Sequence, residues 1–322
     1  MTLKDLAPLQ KLVQVDAAKR GLAAHPQRDM FKASGDEPLK AAKNIADTTR
    51  AHVGIVTGFY VPTASPPAAE TDGPLGALML ARVLVALKLA VTIGVDPHTR
   101  SAIAIGLDRL GLTDKVAIEL IPDASEISAK MAAIDLFDRG PKKMTHLISV
   151  ERVGPSRKLR DDPAPDACFN MAGVDITEHT RPAWRLFDTK PADGRKLTTI
   201  GIGDGGNEIG MGAIPTSFIE QNIANGGKIA CRTRTDFLFV CGVSNWGGYA
   251  LAASIAALKK KAGAVRDFFD AAAELALLEA MVKDGPLVDG TTGLPTATVD
   301  GLPWARHAAV LDAIAKFLDD AR

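Results

Sequence analysis

Six short apolar runs, none alternating cleanly with polar residues, constrain this chain more than any other feature. They span residues 52–56, 90–95, 116–121, 145–150, 198–202 and 237–241, and each is rich in Val, Ile, Leu or Phe. A strand with one wet face alternates; a strand buried on both faces reads as a continuous apolar run, and burial on both faces is the habit of parallel sheets. Helix-period segments lie between the runs. Residues 75–88 are apolar nearly all round and predict a buried helix. Residues 99–110 put Ile103, Leu107 and Leu110 on one face, and residues 125–138 put Ile127, Met131, Ile134 and Phe137 on one face. A further helical segment, 246–261, follows the last run. The alternation predicts an α/β fold: an open, wound, mostly parallel sheet with helices on both faces.

The expected layout is one α/β unit over residues 1–322. Residues 1–50 supply N-terminal helices, 151–196 form a long polar insertion between strands, and 264–322 supply closing helices. Insertions of that length usually carry function or a small subdomain. The link 283–303 is rich in glycine and proline and reads as mobile. Lys plus Arg and Asp plus Glu both number 38, which leaves no electrostatic footprint for nucleic acid or an anionic membrane. Cys168, Cys231 and Cys241 are far apart and form no CxxC pair, which fits a reducing compartment and argues against a disulfide scaffold or structural zinc. The six histidines make no H-x-H or H-E-x-x-H spacing, which argues against zinc hydrolysis. No basic-then-apolar leader opens the chain, and no run of about 18 apolar residues occurs. The expectation is a cytoplasmic protein with no membrane partner. The apolar closing helices serve either its own core or a homo-oligomer.

In wound sheets, ligands bind beyond the carboxyl ends of the strands. The first such loop runs from Thr57-Gly58 to Glu70-Thr71-Asp72-Gly73-Pro74. Asp72-Gly73-Pro74 reads equally as a helix start, while Glu70 sits in an apolar context that a cap does not explain. After the fourth run come Glu151-Arg152, which either pair with each other or face a ligand. After the fifth comes Gly203-Asp204-Gly205-Gly206-Asn207-Glu208-Ile209-Gly210-Met211-Gly212. Five glycines in ten residues permit close backbone approach and an anion nest. Two carboxylates in the same loop oppose a phosphate unless a cation intervenes, and their oxygens suit Mg²⁺ or Mn²⁺. After the sixth, Ser244 and Asn245 either cap the next helix or offer polar groups to a substrate. No G-x-G-x-x-G follows the first strand and no Walker motif or G-x-S-x-G elbow occurs, so no nucleotide cofactor is expected.

Taken in order, VTGFYVP, PPAAETDGPLGA, SVERVG, FNMAGVDIT, GIGDGGNEIGMG and VSNWGGYALA resemble the C-terminal domain family of D-glutamate cyclase, here expected as a stand-alone form. Asp16-x-x-x-Arg20-Gly21-Leu22 resembles that family's N-terminal element. The resemblance implies a carbon–oxygen lyase that converts D-glutamate to 5-oxo-D-proline and water, with a small amino acid as substrate. In that reaction an amine must lose a proton and a carboxylate must be made electrophilic. Residues placed to do this are Glu70 or Asp72 as base and Glu151, Asp204 and Glu208 as holders of a divalent cation, Mg²⁺ or Mn²⁺. Glu151 and Glu208 thereby take part in catalysis. Backbone N–H groups of Gly205 and Gly206, with Asn207, are expected to hold the α-carboxylate. Arg152 is expected to pair with a substrate carboxylate bidentately, and Thr57, Gly58, Ser244 and Asn245 to line the substrate. A metal-dependent phosphate-ester hydrolase and a non-catalytic metabolite-binding domain are the alternatives.

Overall fold

The computed structural model describes residues 1–123, 143–157, 166–191 and 193–321. Its strands are β1 His52–Thr57, β2 Tyr60–Val61, β3 Ala68–Ala69, β4 Ala90–Val95, β5 Val116–Leu120, β6 His146–Val150, β7 Thr198–Gly203 and β8 Phe237–Val240. The larger sheet has the order β5-β4-β1-β6-β7-β8, and every pairing in it is parallel. β2 and β3 form a separate antiparallel ribbon. All six apolar runs are strands, each within a residue or so of its expected bounds. The chain reverses its direction of travel across the sheet between β1 and β6. That switch point leaves a crevice above the carboxyl ends of two neighbouring strands.

The register explains why the runs are continuous. Ile118, Ile93, Ile55, Ile148, Ile200 and Phe237 pair in turn across the whole sheet as one row on one face. They join the largest core cluster, beneath the principal helices. Those helices are α1 Glu37–Asp47, α2 Pro74–Ala86, α3 Pro97–Arg109, α4 Ser244–Leu258, α5 Ala271–Asp284 and α6 Trp304–Asp320. The opposite face carries Val56 and Leu147, which pack with Met144, Trp184 and Phe187 in a second cluster. Trp184 and Phe187 come from the 151–196 insertion, so part of that segment covers the second face. Over β1, β4, β6, β7 and β8 both faces are dry and polar alternation has no place; the edge strand β5 is only partly buried.

α2 and α4 lack an apolar stripe because nearly every residue in them is buried. They touch through glycine: a Cβ on Gly248 would lie 2.8 Å from the Gly76 Cα. The 283–303 link is tied down, contrary to the mobile reading of its composition. Asp289 accepts from the N–H groups of Thr291, Thr292 and Gly301 and from the Thr298 hydroxyl. Val288 bridges to Glu70 in parallel. The helix expected at 125–138 lies outside the described residues. Among the described residues, no helix is long and apolar enough to cross a membrane.

Candidate active site

The switch-point crevice gathers six carboxylates that the fold buries: Glu70, Asp72, Glu151, Asp204, Glu208 and Asp300. A cavity of about 400 Å³ opens on four of them, Glu70, Glu151, Asp204 and Asp300. Arg20 is its one Lys or Arg lining residue among those described.

Each carboxylate has a local reason for its position. The β2–β3 ribbon delivers Glu70, whose N–H donates to the Phe59 carbonyl. A Cβ on Gly290 would lie 1.8 Å from Glu70 Oε2, so a larger residue there would push the Glu70 carboxylate aside. The Glu70 carboxylate has no hydrogen-bond partner among the described residues, although the residue is 8 % exposed. Glu151 leaves β6 with φ of +45°, a left-handed conformation that costs a non-glycine residue energy and recurs at functional sites. Its Oε2 accepts from the Ser244 hydroxyl at 2.5 Å.

The glycine loop after β7 wraps around its own carboxylate. Glu208 Oε1 accepts from the N–H groups of Asp204 and Gly205, and Oε2 accepts from Gly206 N–H. The anion nest exists, but the side chain that ends it fills it. The expectation that Gly205 and Gly206 hold a substrate carboxylate is corrected accordingly: their N–H groups are taken. Asn207 turns its amide to the Phe169 carbonyl, 2.8 Å away, and does not line the cavity.

Asp72 and Asn245 cap each other's helices. Asp72 accepts from the N–H groups of Ser244 and Asn245, at the start of α4. Asn245 Oδ1 accepts from the N–H groups of Gly73 and Gly76, at the start of α2. Capping was expected here, though of each residue's own helix. The exchange locks two helix N-termini together and aims both positive dipole ends at the acidic cluster. Neither residue lines the cavity, and neither do Ser244, Thr57 or Gly58.

Arg152 is also reassigned. Its guanidinium is forked onto Asp96, at 2.6 and 2.8 Å, and donates to the carbonyls of Gly58 and Arg181. The residue is buried and these bonds take both of its terminal nitrogens. The expected pairing with a substrate carboxylate gives way to a structural ion pair, and Arg152 does not pair with Glu151 either.

Sequence reasoning gave no role to Arg20 or Asp300. Asp16 gathers the N–H groups of Arg20, Gly21 and Leu22, and this tight loop presents the Arg20 guanidinium to the cluster. Arg20 ion-pairs with Asp204 and lies 2.5 Å from Asp300 Oδ1. The Asp16-x-x-x-Arg20 string was visible, but its partners were not. Asp300-Gly301 reads locally as an ordinary turn.

Burial dominates the electrostatics. It lifts the carboxyls of Glu70, Asp72 and Glu151 well above the usual range. Neighbouring carboxylates add to this, Asp300 for the first two and Asp204 for the third. Burial also raises Asp204 against the pull of Arg20, and raises Asp300 to about 7 against the same pull. Burial disfavours the Arg20 charge, but Asp204, Asp300 and Glu151 more than offset that and keep it protonated. Glu151, Asp204 and Glu208 each bring one oxygen within 4.8 Å of the others, and so do Asp72, Asp204 and Asp300. These sets consist only of hard oxygen donors, the kind that Mg²⁺ and Mn²⁺ prefer.

The fold and crevice define a wound α/β protein with a buried acidic site at its topological switch point. The model of the family described as D-glutamate cyclase-like, C-terminal, matches residues 9–315, and the chain belongs to that family. It is similar to the human protein named D-glutamate cyclase, mitochondrial, with 29% identity over 334 aligned residues. The match covers 97% of this chain and 51% of the human protein, so the chain spans about half the length of that relative.

Proposed function

We propose that the crevice cyclises D-glutamate to 5-oxo-D-proline and releases water. The observation that carries this reading is the Glu70 carboxylate, buried, unpartnered and facing the cavity. Its affinity for a proton is raised by burial, which suits a group that takes a proton from the substrate. Glu70 takes one proton from the substrate ammonium. The freed amine attacks the γ-carboxyl carbon, forming the ring C–N bond. The C–O bond then breaks, and the departing oxygen collects the proton held on Glu70 and a second one from nitrogen. Arg20, Asn170 and the hydroxyls of Tyr60, Thr63 and Thr291, all on the cavity wall, are donors that can reach the α-carboxylate. Glu151, Asp204 and Glu208 fit a divalent cation, which would withdraw charge from the γ-carboxylate.

The phosphate-ester alternative loses its main support, because the glycine-loop N–H groups face Glu208 rather than open space. The test is purified protein with D- or L-glutamate, with and without Mn²⁺, following 5-oxoproline by chromatography. D-specific product is expected. Binding of D-glutamate without product would favour the non-catalytic alternative.

A further inference from the structure

We propose that the crevice contains two adjoining cation positions sharing Asp204, and that Arg20 is the built-in occupant of the second. This rests on reading the crevice as a cation site. One position is bounded by Glu151, Asp204 and Glu208 and the other by Asp72, Asp204 and Asp300, with the three donor oxygens of each set within 4.8 Å of one another. Asp204 belongs to both, as a bridging carboxylate does between paired metal ions.

The two positions differ in what already neutralises them. Arg20 ion-pairs with Asp204 and Asp300, two of the three members of the second set. Glu151 and Glu208 accept hydrogen bonds only from a hydroxyl and from backbone N–H groups, and among the described residues Arg20 forms no ion pair with either. Arg20 brings one positive charge to a set of three carboxylates. A separate observation marks that position as unfinished. Asp300 Oδ2 is buried and has no hydrogen-bond partner, in a residue 5 % exposed. A buried carboxylate oxygen without a partner is costly, and a cation is the group that relieves it. Arg20 is delivered by a preformed loop: Asp16 holds three successive N–H groups, and Gly21 takes φ of +101° where a Cβ would lie 2.1 Å from the Asn222 carbonyl oxygen. The guanidinium thus stands where a second ion would otherwise sit.

Removing the guanidinium opens the second position. The test counts Mn²⁺ bound per chain by equilibrium dialysis, for the wild type and for Arg20→Met and Arg20→Gln. Gln keeps a polar head if Met impairs folding, which circular dichroism checks. Each variant is expected to bind one more Mn²⁺ than the wild type, and adding Asp300→Asn to either is expected to abolish that extra ion. Counts of two against one support both the inference and the cation at Glu151, Asp204 and Glu208. Counts of one against none keep Arg20 as the occupant of a cation position but overturn the two-position reading, and they remove the first cation from the proposed function. Equal counts in wild type and variants overturn the inference, whatever the turnover of D-glutamate.

Discussion

Glu274 should make this protein less stable as pH rises from acid to neutral. It lies on α5, 3 % exposed, and accepts a 2.8 Å hydrogen bond from the Tyr249 hydroxyl of α4. Burial raises its carboxyl from 4.5 to about 7, against the smaller opposing effects of Tyr249 and Arg82. The folded chain therefore holds a proton on Glu274 in a range where the unfolded chain has released it. That contribution is fully present below about pH 4.5 and is lost progressively as pH rises to about 7. A rise of about 2.5 units at ~1.36 kcal/mol per unit corresponds to about 3 kcal/mol. Glu274→Gln keeps an acceptor for Tyr249 and cannot ionise. Urea unfolding of both proteins from pH 4.5 to 8 isolates the effect, because every other titrating group is common to the two. Any cost of burying the Gln amide offsets the variant's curve without tilting it. The wild type should lose about 3 kcal/mol more than the variant across the range. Parallel curves would refute the reasoning.

Three further outcomes follow from the site's architecture. Asn245→Ala removes the acceptor for Gly73 and Gly76 N–H and should cost roughly 1–3 kcal/mol in denaturant unfolding. Arg152→Met leaves Asp96 buried without its ion-pair partner and should cost roughly 3–5 kcal/mol, read as a fall in Tm. Gly290→Ala places a methyl against Glu70 and should lower kcat for D-glutamate while Tm changes little, because the displaced side chain has no bond to lose.

The sheet was legible because burial on both faces writes itself into consecutive residues. The row from Ile118 to Phe237 needs an apolar residue from every strand. The closeness of Glu151, Asp204 and Glu208 depends on β6 and β7 lying side by side in the sheet, an order that the apolar runs do not state. What the side chains do there was harder to read. Glu208 lies only two to four residues from the N–H groups it accepts, and its short-range wrapping could have been anticipated from the spacing in GDGGNE. Arg152 and Asp96 are 56 residues apart, and Arg20 and Asp300 are 280 apart. Nothing local distinguishes an arginine that meets a substrate from one forked onto a distant aspartate. The exchange of caps between Asp72 and Asn245 is hidden for the same reason: each residue type suits a helix start, and the sequence does not say whose.

The most direct measurement of the central claim is the rate of 5-oxo-D-proline formation from D-glutamate by the wild type and by Glu70→Gln, with Tm recorded for both. If Glu70 is the base, the wild type forms product, and the variant is slower by about 10²–10⁴-fold in kcat at an unchanged Tm. A variant that turns over D-glutamate at the wild-type rate would contradict the account, as would a wild type that forms no product at enzyme concentrations near that of the substrate.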